Sequence, residues 1–181
     1  YMCRRPQRAR TKHNATKPGL QNTSAGLNNL SFEHGDASAL SNVEDNSFDL
    51  SISIFGAMFC PKPLDVAREM VRVTKPGGQV IMGNWIPNDP TSFVSDVLKI
   101  SAAFTPPPPD GFVSPMLWGI EEEVVKRFGI AGIPADQITT NPDIFEFTSA
   151  THGPDDWVSM MRDYYGPTMN AYDAARASGN E

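Results

Sequence analysis

The residues best suited to chemistry fall at a few points of the 181-residue chain. Lys75-Pro76-Gly77-Gly78 offers a glycine pair. A glycine loop cradles phosphate when it follows a strand and opens a helix, because the helix N-terminus supplies free N–H groups. Here the pattern runs helix, glycines, strand, so the stretch reads as scaffold, with Gly77 or Gly78 supplying a positive φ at the turn. His13, His34 and His152 have no visible catalytic partner. Cys3 and Cys60 are too few for a disulfide framework or a zinc cluster, and no metal site is expected. The remaining candidates are Gly35-Asp36-Ala37, Phe55-Gly56-Ala57 and Trp85, which share a position at the ends of apolar runs.

Those runs must position them. Residues 30–34 read as a short strand stopped by Gly35-Asp36, and 48–54 as a β-branched strand of the density expected in a buried sheet. Pro63 marks a helix start, and Leu64, Ala67, Met70 and Val71 recur at helical spacing, with Arg68, Glu69 and Arg72 on the other side. Gly77-Gly78 ends that helix before a third strand over 79–85. Strand, helix and strand with short connections predict parallel pairing through a right-handed crossover, hence an α/β sheet. Ligands of such sheets lie beyond the carboxyl ends of the strands, where these candidates fall.

Downstream, 91–104 spaces Phe93, Val97, Ile100 and Phe104 along one helical face, and Pro106–Pro109 imposes an extended segment. Burial between helices is the expected fate of that tetraproline, with docking to a proline-binding partner as the alternative. A helix over about 120–128 carries three glutamates in its first turn and is stopped by Gly129. Residues 136–140 and 144–149, split by Asn141-Pro142-Asp143, resemble an antiparallel hairpin. Two closing helices follow Pro154 and Pro167.

Net charge is -6, unevenly placed. Residues 1–17 hold six Lys/Arg and no acid, while the other 164 carry 9 Lys/Arg against 21 Asp/Glu. An acidic body does not suit a nucleic-acid reader built over a whole face, so such contact, if any, falls to the basic arm. Residues 1–26 read as that irregular arm and 27–181 as the folded domain. No apolar run spans a membrane, no signal peptide is visible, and a cytoplasmic setting is expected. The Asn-x-Ser/Thr triplets at Asn14, Asn22 and Asn29 carry no weight without such a signal. The chain begins at Tyr1 and is expected to be a fragment, a processed product or part of a longer reading frame.

Together, "FEHGDASAL", "SFDLSISIFGAMF" and "EMVRVTKPGGQVIMGNW" resemble the second half of a class I S-adenosylmethionine-dependent methyltransferase. The similarity is closest to the small-molecule group related to ubiquinone and menaquinone methyltransferases, and it covers about residues 27–165. It implies a Rossmann-like, mostly parallel sheet with an antiparallel terminal hairpin. It also implies S-adenosylmethionine as cofactor and a small-molecule methyl acceptor. By the same resemblance, Asp36 accepts a hydrogen bond from the adenine amino group and the Ala37 N–H reaches an adenine ring nitrogen. A carboxylate beside a backbone N–H does supply the acceptor and donor that an adenine edge requires. Ile54, Phe55 and Gly56 border the methionine part, where glycine allows close backbone approach. Phe59, Trp85 and Trp118 are candidate substrate walls, and an aromatic face also suits a sulfonium cation.

Two features depart from the pattern. No Gly-x-Gly occurs anywhere, and the strand end bearing the ribose-binding acid is missing. The sheet is therefore expected to lack its first two strands and to expose an edge near residues 30–34. The same fold without chemistry, a remnant or interaction module, is the alternative. A nicotinamide-dependent oxidoreductase would need the Gly-x-Gly-x-x-Gly that is missing. No catalytic residue is named, because methyl transfer proceeds largely through positioning.

Overall fold

The computed structural model describes residues 34–146 and 148–179. Its elements run β1 (Phe48–Ile54), α1 (Pro63–Val73), β2 (Thr74–Gly83), α2 (Phe93–Phe104), α3 (Glu121–Ile130), α4 (Pro154–Tyr164) and α5 (Gly166–Ala177). The fold is α/β, with β1 and β2 parallel in a two-stranded sheet. The strand expected over 30–34 and the basic arm over 1–26 lie outside the described residues, apart from His34, which belongs to no strand.

The β1–α1–β2 unit follows from its residues. Proline opens α1 where its missing N–H is harmless, and Val66, Ala67, Met70 and Val73 bury one stripe of the helix. The helix stops at Val73, ahead of the glycines that the sequence suggested as its end. Thr74 takes over, donating from Oγ1 to the Met70 carbonyl at 2.6 Å and so satisfying a terminal acceptor. The glycines serve the strand instead. Phe48 lies opposite Thr74 and Leu50 opposite Gln79, so residues 75–78 bulge out opposite Asp49 alone. Gly77 adopts φ +79, and a Cβ on Gly78 would fall 2.8 Å from the Asp49 carbonyl oxygen. Lys75 closes the excursion by pairing with Asp49 at 2.9 Å.

The core gathers Ala57, Met58, Cys60, Val66, Ala67, Met70, Trp118 and Phe128 between the sheet, α1, α3 and two short turns. Trp118, expected to wall a substrate, is instead 2 % exposed. Its ring packs against Phe128 and under the Arg127 guanidinium, 4.6 Å from the ring centre.

Four expectations need correction. The strand 48–54 forms with the expected bounds but is not buried. Phe48, Leu50, Ile52 and Ile54 are exposed, because α1 packs only on the face that carries Ser51 and Ser53. The terminal hairpin is not formed among the described residues. Ala135–Gln137 is a single 3-10 turn and 138–146 is irregular. A lone hairpin is marginal in water without a sheet to shelter it, and Phe145 is 83 % exposed. The tetraproline is exposed, not buried between helices. Finally, Gly129 lies inside α3, and the positive φ that ends the helix region falls at Gly132, at φ +103. Among the described residues no helix is long and apolar enough to cross a membrane.

Candidate functional site

The carboxyl end of β1 is where the backbone departs from regular geometry. Phe55 adopts φ +56, the left-handed region that a bulky residue avoids. Such a conformation costs on the order of 1–3 kcal/mol and persists only where the surroundings over-determine it. Two contacts do so. The Phe55 N–H donates to the Gly83 carbonyl at 2.8 Å, extending the strand pairing by one bond. Its ring stacks on Trp85, with centroids 4.3 Å apart and planes 12° from parallel. The ends of β1 and β2 are thus joined by backbone and by aromatic stacking.

Gly56 follows with ordinary φ, and an added Cβ would meet nothing nearer than Ser53 Oγ at 3.8 Å. The backbone there does not require glycine, and an added Cβ would sit in ordinary van der Waals contact. Ser53 Oγ accepts the Ala57 N–H at 2.9 Å, pinning a short turn over Ala57–Phe59. That turn buries Met58 and leaves Phe59 exposed. Cys60 is buried and free, with its sulfur 3.9 Å from Asp36 Oδ1.

Asp36 sits in a tight turn closed by the Ala39 N–H on the Asp36 carbonyl at 2.9 Å. Its Oδ1 accepts the Ser38 N–H and the Ser38 hydroxyl, each at 2.8 Å. This is the self-bonded turn aspartate that glycine and small neighbours favour. Its place is set from further away. Ala37, Phe55 and Trp85 all pack on the one core cluster that contains Cys60. The structure thus joins Phe55 and Trp85 at the carboxyl ends of the two parallel strands, with Ile54 and Gly56 beside them in the chain, and sets the Asp36 turn against Cys60, with Ala37 on the same core cluster. Phe59 lies on the exposed side of that rim, and Trp118 lies beneath it in the core.

Sequence reasoning missed the residues that hold the Asp36 segment. Glu69 and Arg72, assigned to the outer side of α1, turn toward residues 40–45. The Arg72 guanidinium donates to the Leu40 carbonyl at 2.9 Å, the Val43 carbonyl at 2.8 Å and Asp45 at 2.6 Å. It also forms a two-pronged pair with Glu69, 2.8 Å on each prong. Glu69 in turn accepts the Leu40 N–H at 2.6 Å. The Arg72 hydrogen bond, with the Leu40 N–H, holds the Glu69 carboxyl below its usual value despite partial burial. The Glu69 and Asp45 carboxylates raise Arg72. The available signal was a Glu–Arg pair at i,i+3 in the last turns of a helix whose chain must pack beside a preceding loop.

On the far side of Trp85, Gly119 abuts its backbone so closely that a Cβ would fall 1.9 Å from the Trp85 carbonyl oxygen. Beyond this contact, a cavity of about 760 Å³ opens between residues 87–90, α2 and residues 114–120. Leu98, Met116, Leu117 and Ile120 give it an apolar wall, and Asp89, Asp96 and Lys99 give it charge. Asp89 stays well ionised, because the Thr91 hydroxyl and N–H hold its carboxyl low. Among the described residues no group of His, Cys, Asp and Glu could hold a metal ion.

Residues 5–82 match the family described as "Methyltransferase domain". A demethylmenaquinone methyltransferase of Staphylococcus epidermidis is 44 % identical over 68 residues, covering 38 % of this chain and 27 % of that protein. An uncharacterized protein of Mycobacterium tuberculosis is 29 % identical over 150 residues, 82 % of this chain and 51 % of the relative. A second from the same organism is 28 % identical over 145 residues, 79 % and 49 % respectively. The chain spans about half the length of these two mycobacterial relatives. The resemblance to class I methyltransferases of the quinone-methylating kind therefore stands on the domain match and on this partial similarity.

Proposed function

We propose that this chain carries the cofactor-facing part of an S-adenosylmethionine-dependent methyltransferase that acts on a small molecule. The observation that carries the reading is the Phe55–Trp85 stack at the carboxyl ends of two parallel strands, with Ala37 of the Asp36 turn packed on the same core cluster.

The residues fit the cofactor on three counts. Gly56 carries no side chain, so a ligand group can approach its backbone closely. Phe55 and Trp85 present an aromatic pair, whose faces attract a cationic centre such as a sulfonium. Asp36 and Ala37 offer a carboxylate and a backbone N–H on one turn, the set that an adenine edge requires. In this reading Asp36 and Ala37 hold the adenine end, and Ile54, Phe55 and Gly56 border the methionine end. When bound, S-adenosylmethionine supplies an electrophilic methyl group on sulfur. The chain's own part is to orient and to exclude water, through the Phe55–Trp85 stack and the turn that buries Met58. No side chain here is assigned a proton-transfer role.

For the acceptor, the cavity beyond Trp85 has a size within the range of small-molecule sites, about 300–1,000 Å³. The staphylococcal relative is named for demethylmenaquinone, a small molecule, and this supports a small-molecule acceptor over a macromolecular one.

Titration calorimetry with S-adenosylhomocysteine, the demethylated product, tests the reading on the 181-residue chain. Saturable binding that weakens at least tenfold in Asp36→Ala is expected, the loss of a hydrogen bond to a charged group being worth about 1.5–3 kcal/mol. A folded chain that takes up no S-adenosylhomocysteine overturns it. The alternative, a fold relative without chemistry that serves as an interaction module, is favoured by the bare apolar face of β1. Transfer of a labelled methyl group to any acceptor by this chain would end that alternative.

A further inference from the structure

We infer that Arg72, locked by Glu69, is a positioning residue that sets the adenine selectivity of the site by fixing the segment leading from Asp36. The inference rests on the reading of Asp36 given above.

Asp36 and Ala37 sit on one turn, with Asp36 exposed and Ala37 half-buried against the core. Bonds from Ser38 and Ala39 run back to Asp36, and the Cys60 sulfur lies 3.9 Å from Asp36 Oδ1. The local bonds fix the shape of the turn, and Ala37 against the core gives it a first anchor. The chain that leaves the turn, residues 40–45, gives a second anchor, tied to α1 by the Arg72 guanidinium and the Glu69 carboxylate. Arg72 reaches two backbone carbonyls and a carboxylate on that segment, Leu40, Val43 and Asp45. Glu69 completes the tie by taking the Leu40 N–H, so both polar groups of Leu40 are held by the same ion pair. The backbone adds a further anchor from the same helix turn. The Asn46 N–H donates to the Arg72 carbonyl at 2.9 Å and the Ser47 N–H to the Val73 carbonyl at 2.9 Å.

The geometry of the fork matters. Five donors in one plane serve four partners, which the single ammonium of a lysine cannot reproduce. The pair is also partly sheltered, with 17 % of the Glu69 side chain and 29 % of the Arg72 side chain exposed, so water competes weakly for these bonds. The last turn of α1 thus acts as a bracket. It fixes the distance from the helix to Leu40, and from Leu40 the chain is only four residues from Asp36. Loosening the bracket leaves the carboxylate in place chemically and blurs its position. An adenine amino group, a donor, gains from a fixed acceptor. A hypoxanthine oxygen in the same place gains nothing and is repelled. Discrimination between the two is therefore what the bracket sets.

The test measures binding of S-adenosylhomocysteine and of its inosine-containing analogue to the full chain, for wild type, Arg72→Lys and Glu69→Gln, with circular dichroism melts of each. Wild type is expected to prefer the adenine form. Both variants are expected to remain folded, to bind the adenine form about tenfold more weakly, and to bind the inosine form with nearly unchanged affinity, so that the preference collapses. A merely structural role would weaken both ligands together. Variants that are folded and keep the wild-type preference overturn the inference. Should Arg72→Lys unfold, Glu69→Gln decides between these outcomes, since it keeps the shape of the side chain while removing its charge and one of its two acceptor oxygens. A wild-type chain that binds neither ligand overturns the cofactor reading itself, and this inference with it.

Discussion

The two faces of the β1–β2 sheet are made by alternating side chains of the same two strands and have opposite fates. On one face Ser51, Ser53, Val80 and Met82 are half-buried beneath α1 and the core. On the other, Leu50, Ile52, Ile54 and Ile81 stand exposed, with Ile52 directly opposite Ile81 in the register. The smaller and more polar side chains of β1 face the helix, and the larger apolar ones do not. Side-chain polarity alone would assign the faces the other way round. The packing follows α1, which buries Val66, Ala67 and Met70, and not the apolar count of β1. An apolar sheet face of this kind is a surface at which another element can be received.

The covered side should therefore carry the stability, and Trp118→Ala should show the largest loss, about 3–5 kcal/mol by denaturant unfolding. Trp118→Phe should lose far less. The indole Nε1 is buried without a hydrogen-bond partner among the described residues, so removing it relieves an unpaired polar group while most of the ring contact stays. Next in size comes Gly119→Ala. The added methyl has nowhere to go beside the Trp85 carbonyl, and a loss of about 1–3 kcal/mol is expected. Because the displaced backbone is that of Trp85, the same variant should also disturb the Phe55–Trp85 stack, visible in near-ultraviolet circular dichroism.

The sequence showed the covered side well and the bare side poorly. The bounds of β1 and the start of α1 at Pro63 were legible, because a β-branched run and an N-terminal proline are local signals. The strand-end reading also brought Phe55 and Trp85 to one end of the sheet, where their rings stack. Three things were not legible. The left-handed φ of Phe55 is imposed by Gly83 and Trp85, which lie far along the chain. The Arg72 bracket joins residues 27–32 positions apart, so its helix face looked like solvent face. The hairpin over 136–149 had the right local pattern, but pattern supplies no neighbouring strand, and without one its apolar side chains gain nothing by pairing.

A pH effect separates the bracket from the apolar core. Glu69 has a folded pKa below its ordinary value of 4.5, chiefly through its hydrogen bond to Arg72. Its stabilisation is complete above that ordinary value and drains away as pH falls through the lower folded pKa. Acid should thus loosen residues 40–45 before it melts the core, read by faster amide exchange at Leu40 and Asn46 than at Val66. In Glu69→Gln this acid-dependent step should vanish, because no proton is then taken up at that position.

The smallest effect is the sharpest test of the comparison. Val80 and Ile81 are neighbours in β2, flanked by the same chain and pointing to opposite faces. Replacing each by serine changes strand propensity by a similar amount, so the difference between the two variants isolates burial. Val80→Ser should lose about 1–2 kcal/mol, as expected for a half-buried side chain against α1. Ile81→Ser should stay within about 0.5 kcal/mol of wild type, although it removes the larger side chain. If Ile81→Ser proves the more damaging of the two, the exposed face is covered in solution by some other part of the polypeptide or by a second copy. Sedimentation of the wild type at two concentrations then decides between them, since only a second copy makes the effect concentration-dependent.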